Sequence, residues 1–571
     1  MNRYQWKIKD LNDLSLLDAG LSYHPVFLKI VAGLGLKKDE IDRFVSPNYN
    51  HDLNSPMLFS DMQKALDRLW FASVNQQKIM IFGDYDADGV CGSSIIYRAL
   101  TFLNFKVEVY LPDREKEGYG LNCQAVDYAK KIDCQLIISV DCGISNRDEV
   151  EYAKKQGIDV IITDHHDVPE KVPEAVAIIH PGWDRNYPFS GLSGGGVAFK
   201  LVSAIIADKR YSLSIEDQDK YLKWQLDLVA ISTVADMVPL IDENRVLVHY
   251  GLQVLRKTRN LGLQKMILTA QKSLEKMDET SIGYVIAPRI NAAGRMVHAN
   301  IAFKLLTTDN IVEAIELSLD LEKSNSQRQQ EVEQMVDFAF KQLGDDQDSP
   351  TAIVVADNWP TGLIGLVASK LSEKYNRPSL VITRKDEKAV GSGRSPADFN
   401  LISCLHGLNK FFDRYGGHPG AAGFSMEYQK VTDFITDFNK IVGQTRSQDE
   451  QKAILNISTE INGDELESKS ALSLVEDIQK LAPFGMNNPE PVLAIFGARI
   501  ISSKTVGNNA KHLSLQLSHR GFKFKAIAFG FGQYEQNLQP GELINLAFRL
   551  TINEWQGIRE VQCVVVDIVK N

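Results

Sequence analysis

The chain has 571 residues and a formal net charge of −10. It is too long for a single hydrophobic core, so we expect several domains. Its hydrophobic content of 44% and charged content of 24% are those of an ordinary globular protein and exclude disordered and fibrous classes. A net negative charge argues against a generally basic nucleic-acid coat, so binding of a polyanion would need a local basic patch. No apolar stretch reaches the ~20 residues that span a bilayer and the N-terminus lacks a signal core, which predicts a cytoplasmic protein without membrane contact.

Two patterns succeed each other over the first half of the chain. The spacing of apolar residues predicts a helical lead-in over residues 1–50, and β and α segments alternate over 51–302. This alternation predicts an α/β fold with a doubly wound, mostly parallel sheet whose strand ends face one crevice. The predicted strands are Lys78–Phe82, Lys106–Leu111, Leu136–Val140, Val160–Thr163 and Val176–Ile179, with helices at Ser93–Leu103, Gln124–Lys131 and Asp148–Gln156.

Three carboxylates follow the first predicted strand within five positions. Asp84, Asp86 and Asp88 come directly after the apolar run Ile79–Phe82, in a turn flanked by glycines. Carboxylates this close repel one another unless protons or cations intervene, so a divalent metal ion is the expected occupant. An isolated acidic, solvated turn is the alternative interpretation.

Further acidic and imidazole side chains follow other strands of the same predicted sheet. Asp141 ends the third strand, and Asp164, His165 and His166 end the fourth. A single Asp there is often the N-cap of the next helix, but three such strand ends on one edge predict a shared site. Asp236 is the one charge in the apolar segment 228–240, and buried lone carboxylates are rare unless paired or metal-bound. Oxygen ligands with imidazole suit Mn²⁺ or Mg²⁺, and their number predicts two ions that act on a phosphoryl group.

The motifs GDYDADG, VDCG, TDHH and TVADMVPL, in this order, resemble those of the DHH phosphoesterase superfamily. Three later motifs, PRINAAGRM, GSGRS and GGHPGAAGF, resemble those of the bacterial RecJ group, which are single-strand-specific 5′→3′ DNA exonucleases. The resemblance departs at Trp359-Pro360, where the group commonly has Trp-His. It implies that the metal ligands are Asp86, Asp88, Asp141, His165 and Asp236, with Asp84 as a ligand or a supporting group and His166 at the scissile phosphate.

Arginines and the later motifs supply candidates for holding the substrate. The planar guanidinium of arginine matches phosphate, although a surface ion pair is the commoner fate of any single arginine. The motif GSGRS is interpreted as a glycine-rich turn that offers backbone N–H groups to a phosphate. The small residues of GGHPGAAGF suggest close approach of the backbone to another surface or to a nucleic-acid backbone, and tight internal packing is the alternative. The substrate-binding candidates are Arg114, Arg289, Asn291, Arg295, Ser392, Arg394 and His418.

Residues 303–345 predict a helical connector. Apolar residues Ile311, Ile315 and Leu319 predict one anchored end and Val332, Met335 and Val336 predict the other, with an exposed polar middle over Glu322–Glu331. An ordinary surface helix is the alternative. A second α/β unit follows over 346–450, with strands Ile353–Ala356 and Leu380–Thr383. By resemblance this is the DHH-associated domain, which grips the strand and its 5′ end.

Residues 451–571 alternate with period two, which predicts a small β-barrel of the OB type. Basic residues interleave there with Phe522 and Phe524, the composition of a single-strand groove, although alternating phenylalanines are more often core. The basic residues are Lys504, Lys511, His512, Arg520, Lys523 and Lys525.

The acidic strand ends by themselves predict metal binding, and the resemblance implies a metal-dependent exodeoxyribonuclease that releases 5′-mononucleotides from the 5′ end of single-stranded DNA, in DNA repair or recombination. The expected substrate carries a 5′ phosphate, and the expected associates are a helicase and a single-strand-binding protein around a monomer. A phosphodiesterase for short oligonucleotides or cyclic dinucleotides would share the chemistry. A non-catalytic single-strand-binding scaffold at the replication fork is the alternative of another class.

Overall fold

The computed structural model describes residues 3–9, 20–344, 349–446, 452–555 and 558–570. The chain forms two compact units. The central unit consists of Asn48–Val442 and Gly485–Asn488, and the terminal unit of Met1–Pro47, Gly443–Phe484 and Pro489–Asn571. Within the described ranges, the helices are all too short or too polar to cross a membrane.

Helices and strands up to residue 307 are, in chain order, β1 (Tyr4–Ile8), α1 (Pro25–Leu34), α2 (Lys38–Val45), α3 (Met62–Val74), β2 (Lys78–Gly83), α4 (Ala87–Phe102), β3 (Lys106–Tyr110), α5 (Cys123–Lys131), β4 (Cys134–Val140), α6 (Arg147–Lys155), β5 (Asp159–Thr163), β6 (Ala177–Ile179), α7 (Gly194–Ala207), α8 (Ile215–Lys223), α9 (Leu226–Ala235), α10 (Asp242–Leu255), α11 (Leu261–Thr269), α12 (Glu279–Ser281), a π-helical turn (Ile282–Ile286), α13 (Ala287–Met296) and α14 (Asn300–Thr307). Those that follow are α15 (Ile311–Leu343), β7 (Ala352–Asp357), α16 (Thr361–Tyr375), β8 (Ser379–Lys385), β9 (Lys388–Arg394), α17 (Leu401–Gly407), β10 (Phe412–His418), β11 (Ala421–Glu427), α18 (Val431–Thr445), β12 (Ala453–Ile457), β13 (Thr459–Glu460), α19 (Ser468–Gln479), β14 (Leu493–Val506), β15 (His512–His519), β16 (Phe522–Ala528), β17 (Leu543–Trp555) and β18 (Ile558–Lys570).

The first sheet of the central unit is parallel throughout, in the order β3-β2-β4-β5-β6, as the apolar runs predicted. Its register brings the carboxyl ends of the central strands level, because Gly83 pairs with Val140 and Val140 with Thr163. The backbone N–H groups of Asp84 and Asp141 continue this ladder to the carbonyls of Val140 and Thr163. The acidic residues that follow β2, β4 and β5 therefore stand side by side.

Helix α4 begins at Ala87, six residues before the helix predicted from the sequence. Glycine and serine in its first two turns have weak helix propensity, which hid this start. The Asp86 carboxylate caps the helix by accepting the N–H groups of Asp88 and Gly89. A Cβ atom at Gly89 would lie 2.6 Å from the Asp84 carbonyl oxygen, so close approach of the chain to itself fixes the residue type.

The second sheet has the order β10-β11-β9-β8-β7 and is mixed, with β7 and β8 parallel. The prediction that GSGRS forms a glycine-rich turn is wrong: residues 391–394 lie in β9. A Cβ atom at Gly391 would lie 2.1 Å from the Phe424 ring, so here the small residue serves internal packing. The residues of GGHPGAAGF form the β10–β11 hairpin.

Helix α15 only partly follows the burial pattern predicted from its sequence: Met335, at the second anchored end, is buried. Ile311, Ile315 and Leu319, expected as an apolar anchor, are 51%, 42% and 55% exposed. The expected exposed middle is partly buried instead, with Ser324 and Asn325 shielded from solvent. Apolar spacing alone could not show which face meets α13, because that contact is made by polar and charged side chains, as described below.

In the terminal unit, β14, β15, β16, β18 and β17 close into a five-stranded barrel through the additional β14–β17 pairing. Phe524 is buried, so it belongs to the core rather than to a stacking surface, whereas Phe522 is 39% exposed. The helical lead-in was an incomplete prediction, since strand β1 pairs in parallel with β12. Trp6 fastens β1 further by donating its indole N–H to the buried Asp567 carboxylate at 3.0 Å.

Candidate active site

Acidic and imidazole side chains converge where the central strands end. Three groups of their donor atoms are compact enough to hold a cation, with all atoms of a group within 4.8 Å of one another. Asp141 and His165 each belong to two groups, so the sites adjoin. The groups are Asp84, Asp86 and Asp141; Asp88, His165 and Asp236; and Asp141, His165 and His166.

Both carboxylate oxygens of Asp88 accept hydrogen bonds from the start of α7. The N–H groups of Gly194 and Gly195 donate to Oδ2 and Oδ1 at 2.7 and 2.8 Å. The Ser232 hydroxyl, from α9, donates to Oδ1 at 2.5 Å. These donors fix the orientation of Asp88. This role of Gly194, Gly195 and Ser232 was not predicted from the sequence, because small neutral residues match no metal-binding or catalytic pattern.

His165 lies in the middle of the carboxylates. Its Nε2 atom is 3.0 Å from Asp141 Oδ1, 3.5 Å from Asp236 Oδ2 and 3.6 Å from Asp88 Oδ2. Burial lowers the pKa of His165, although the nearby Asp88 charge acts in the opposite direction. A neutral imidazole surrounded by carboxylates is the form that binds a metal ion.

The carboxylates repel one another in a buried place. Burial raises the pKa of Asp84, Asp86 and Asp141, and their neighbouring carboxylates raise it further. The buried Oδ1 atoms of Asp84 and Asp141 and the Nε2 atom of His165 have no hydrogen-bond partner among the described residues. Unpartnered buried donor atoms in a cluster of negative charge fit divalent cations, which would supply the missing interactions.

Asp236 is less buried than its apolar sequence predicted, because its side chain keeps 26% exposure. Burial, followed by the charges of Asp88 and Asp86, raises its pKa to about 9. It directly follows α9, whose C-terminal carbonyls disfavour a negative charge. A bound cation would offset both effects.

Asp164, which sequence reasoning left out of the site, supports both histidines from behind. Its carboxylate accepts hydrogen bonds from the backbone N–H groups of His165 and His166 and from His166 Nδ1 at 2.8 Å. Burial acts to lower the pKa of His166, but Asp164 outweighs it and raises that pKa to about 9. The Tyr119 hydroxyl bonds both His166 and the Asp141 carbonyl. The orientation of His166 is therefore fixed, and the charge of Asp164 favours its protonated form.

The substrate-binding candidates fall into different places. Asn291 faces the metal loop, where its Oδ1 accepts the Ala87 N–H at 2.7 Å. Arg289 is buried and paired with Glu322 at 2.6 Å, which occupies its guanidinium. His418, 60% exposed, lies 3.1 Å from Asp167.

Three of the four candidate arginines share a neighbourhood. Burial lowers the pKa of Arg295 to about 10, and the positive charges of Arg114, Arg328 and Arg394 act in the same direction, whereas Asp86 opposes them. Arg394 bonds Ser392 at 3.2 Å, and Arg114 lies over the Tyr85 ring. Among the described residues, none of these arginines has a carboxylate within ion-pair distance. A half-buried group of cations without such partners, next to Asp86, is suited to phosphate.

Gly194→Ala tests how tightly this site is built. A Cβ atom at residue 194 would lie 2.6 Å from Asp141 Oδ1, so the substitution must displace a ligand carboxylate. We expect Mn²⁺ affinity, measured by isothermal titration calorimetry, to fall about 10–100-fold. Gly283→Ala, at a glycine with nothing within 4 Å of the added atom, is the matched control. Equal Mn²⁺ affinity in both variants would contradict the prediction.

Comparisons with known proteins agree with this geometry. Family models for the DHH family N-terminal domain, the DHHA1 domain and the RecJ OB domain match residues 78–233, 348–444 and 463–567. The single-stranded-DNA-specific exonuclease RecJ of Bacillus subtilis is 34% identical over 99% of this chain and 71% of its own length. That of Haemophilus influenzae is 31% identical over 95% of this chain and 96% of its own length. The crystal structure of RecJ in complex with Mn²⁺ from Thermus thermophilus superposes with a TM-score of 0.85 at 26% identity, covering 100% of this chain and 80% of that one.

The parallel sheet with its strand-end carboxylates and paired histidines, followed by a DHHA1 domain, defines a phosphoesterase of the DHH class. The closed barrel over the last hundred residues is the part that distinguishes one branch of that class. The chain belongs to the RecJ family.

Proposed function

We propose that this protein is a single-strand-specific DNA exonuclease that acts from the 5′ end, releases 5′-mononucleotides and serves DNA repair or recombination. One observation carries the proposal: a half-buried group of arginines, without a carboxylate within ion-pair distance among the described residues, lies beside a cluster of carboxylates that fits divalent cations. A phosphodiester brought to the arginines would therefore meet the cations. Membership of the RecJ family supports the choice of single-stranded DNA as substrate.

Six residues that lie near the carboxyl ends of the strands would hold two Mn²⁺ or Mg²⁺ ions: Asp84, Asp86, Asp88, Asp141, His165 and Asp236. Relatives of known structure were solved in complex with Mn²⁺ and with Mg²⁺, which supports the choice of metal. When bound, the ions would polarise the phosphoryl group and stabilise charge on the attacking and leaving oxygens.

The protein's own side chains would orient the reacting phosphate. His166, held positive by Asp164, would donate a hydrogen bond to a phosphoryl oxygen, and Arg295 would neutralise developing charge near Asp86. Arg114, Arg394 and the hydroxyl of Ser392 would bind the 5′-terminal phosphate. The arginine fork can engage two oxygens at once, which suits a terminal group with three.

Further parts of the proposal rest on sequence and resemblance. The divisions at residues 50, 302, 345 and 450 would separate a lead-in, a catalytic part, a connector, a substrate-gripping part and a strand-binding barrel. A helicase would supply the strand, a single-strand-binding protein would accompany it, and the enzyme would act as a cytoplasmic monomer.

End-labelled DNA tests the function. With Mn²⁺ or Mg²⁺, we expect a 5′-phosphorylated single strand to lose its 5′ label first, as a mononucleotide, while blunt duplex persists.

Arg394→Gln should lower the preference for a 5′ phosphate over a 5′ hydroxyl about 10-fold or more, because it removes charge-assisted hydrogen bonds. Arg414→Gln, on the exposed strand β10, is the matched control.

The rival functions give different outcomes. Rapid cleavage of a dinucleotide or cyclic dinucleotide with a long strand left intact would favour the small-substrate phosphodiesterase. Binding without cleavage in either metal would favour the non-catalytic scaffold. Loss of the 3′ label before the 5′ label would overturn the proposed direction.

A further inference from the structure

Arg328 is a charged side chain that the described contacts leave incompletely satisfied. It lies near the middle of α15, where its Nη2 atom donates to Asn325 Oδ1 at 2.8 Å. Its Nε atom is buried and has no hydrogen-bond partner. Within the part of the chain that the structure describes, Arg328 has no carboxylate within ion-pair distance. Such a group is expensive to bury unless something else binds it.

The surroundings of Arg328 are positive. Helix α13 carries Arg289 and Arg295, and the 2.6 Å ion pair between Arg289 and Glu322 joins this helix to α15. Glu322 thereby balances Arg289 but leaves Arg328 without a counter-charge. Burial lowers the pKa of Arg328, and the charge of Arg289 lowers it further. The pKa of Arg295 is in turn lowered by Arg328.

Arg295 connects two parts of this cationic cluster. The first part is Arg114 and Arg394, and the charge of Arg114 lowers the pKa of Arg394. The second part is Arg328, which comes from a different helix and whose charge also acts on Arg295. One terminal phosphate between Arg114 and Arg394 accounts for the first part only. Arg328 also lacks a counter-charge. Because Arg295 interacts with both Arg328 and Asp86, Arg328 lies close to the proposed metal site.

We propose that Arg328 binds an internucleotide phosphate of the DNA strand, distinct from the 5′-terminal phosphate. This inference rests on the proposed exonuclease function and adds a second phosphate-binding position to it. Arg295 would then lie between two phosphates of the same strand. Arg328 is a substrate-binding residue in this scheme, and a phosphate oxygen would accept a hydrogen bond from its half-exposed guanidinium.

Steady-state kinetics on 5′-phosphorylated single strands test the assignment. We expect Arg328→Gln to raise KM about tenfold or more with little change in kcat, since a charge-assisted hydrogen bond made before the chemical step is lost. Arg328→Lys, which keeps the charge, should recover part of the loss. Lys323→Gln removes one exposed charge from the same helix and should behave as the unaltered protein.

DNA strands in which one internucleotide phosphate is replaced by an uncharged methylphosphonate show which phosphate Arg328 binds. With the first linkage natural, the second, third or fourth linkage is neutralised in turn, and release of the first nucleotide is followed. We expect neutralisation at one of these linkages to raise KM for the unaltered protein and to have no further effect on Arg328→Gln. The preference of that variant for a 5′ phosphate over a 5′ hydroxyl should remain, because the terminal phosphate is assigned elsewhere.

Failure of this inference is distinguishable from failure of the proposed function. If the unaltered protein degrades strands but Arg328→Gln has an unchanged KM, or is penalised by every neutralised linkage as the unaltered protein is, the inference is overturned. If the unaltered protein degrades no strand, the function itself is wrong. Should Arg328→Gln unfold, the same methylphosphonate comparison on Arg328→Lys decides.

Discussion

Asp236→Ala should lower kcat on single-stranded DNA on the order of 10³-fold. The side chain approaches His165 Nε2 to 3.5 Å and is grouped with Asp88 around one candidate metal position. Removing a ligand forfeits several kcal/mol of transition-state charge stabilisation, which corresponds to about this factor. Strand binding should change little, because the arginines that would hold phosphate are untouched. Single-turnover rates and fluorescence anisotropy on the same preparation separate the two effects.

Glu275→Gln is the matched control for Asp236→Ala, since it removes one exposed carboxylate from the same unit without touching the site. Mn²⁺ titration should show weaker binding in Asp236→Ala alone. Near-normal cleavage by Asp236→Ala would remove Asp236 from the set of metal ligands. A parallel loss of strand binding would instead indicate that the substitution disturbs the fold.

Lys200→Met should destabilise the central unit by about 3–5 kcal/mol. Lys200 and Glu243 form an ion pair of 2.6 Å with side chains only 2% and 0% exposed. The substitution leaves the Glu243 carboxylate buried without its counter-charge, although Tyr187 and the Asn54 N–H still donate to it. For a unit of this size we expect the melting temperature, followed by circular dichroism, to fall by roughly 4–6 °C.

An exposed ion pair on the same unit provides the comparison. Lys223 and Asp219 lie 2.7 Å apart but are each 45% exposed, so Lys223→Met should cost less than about 1 kcal/mol. The double variant Lys200→Met with Glu243→Leu should recover part of the stability, because no buried charge is left. Equal melting temperatures for the two single lysine variants would contradict the argument from burial.

The strand ends could be located from the sequence because two independent signals coincide there. Each strand is a short apolar run, and each is followed by a turn whose residue types suit a ligand rather than a core. Parallel register then brings Asp84 and Asp141 together without any further information. The motifs GDYDADG and TDHH also indicated which of these side chains would bind a metal ion.

What the sequence could not show were relations made by packing. Asp164 was named only as one of the strand-end residues, yet it holds His166. The donors to Asp88 come from a helix start more than a hundred positions away. Arg289 was indistinguishable from Arg295 in its motif, and only the approach of α15 gives one of them a carboxylate. Arg328, in a run of polar residues, carried no motif at all.

The terminal unit has a consequence for synthesis on the ribosome. Trp6 and Asp567, which bond each other, are 561 positions apart. At ≈ 5–20 residues per second, roughly half a minute to two minutes separates their emergence. The central unit, continuous over most of its length, can fold in that interval, whereas β1 has no strand to join until β12 has been synthesised. The newborn N-terminal segment must therefore stay unpaired and resist aggregation while the central unit folds, and its last anchor, the bond between Trp6 and Asp567, forms later still.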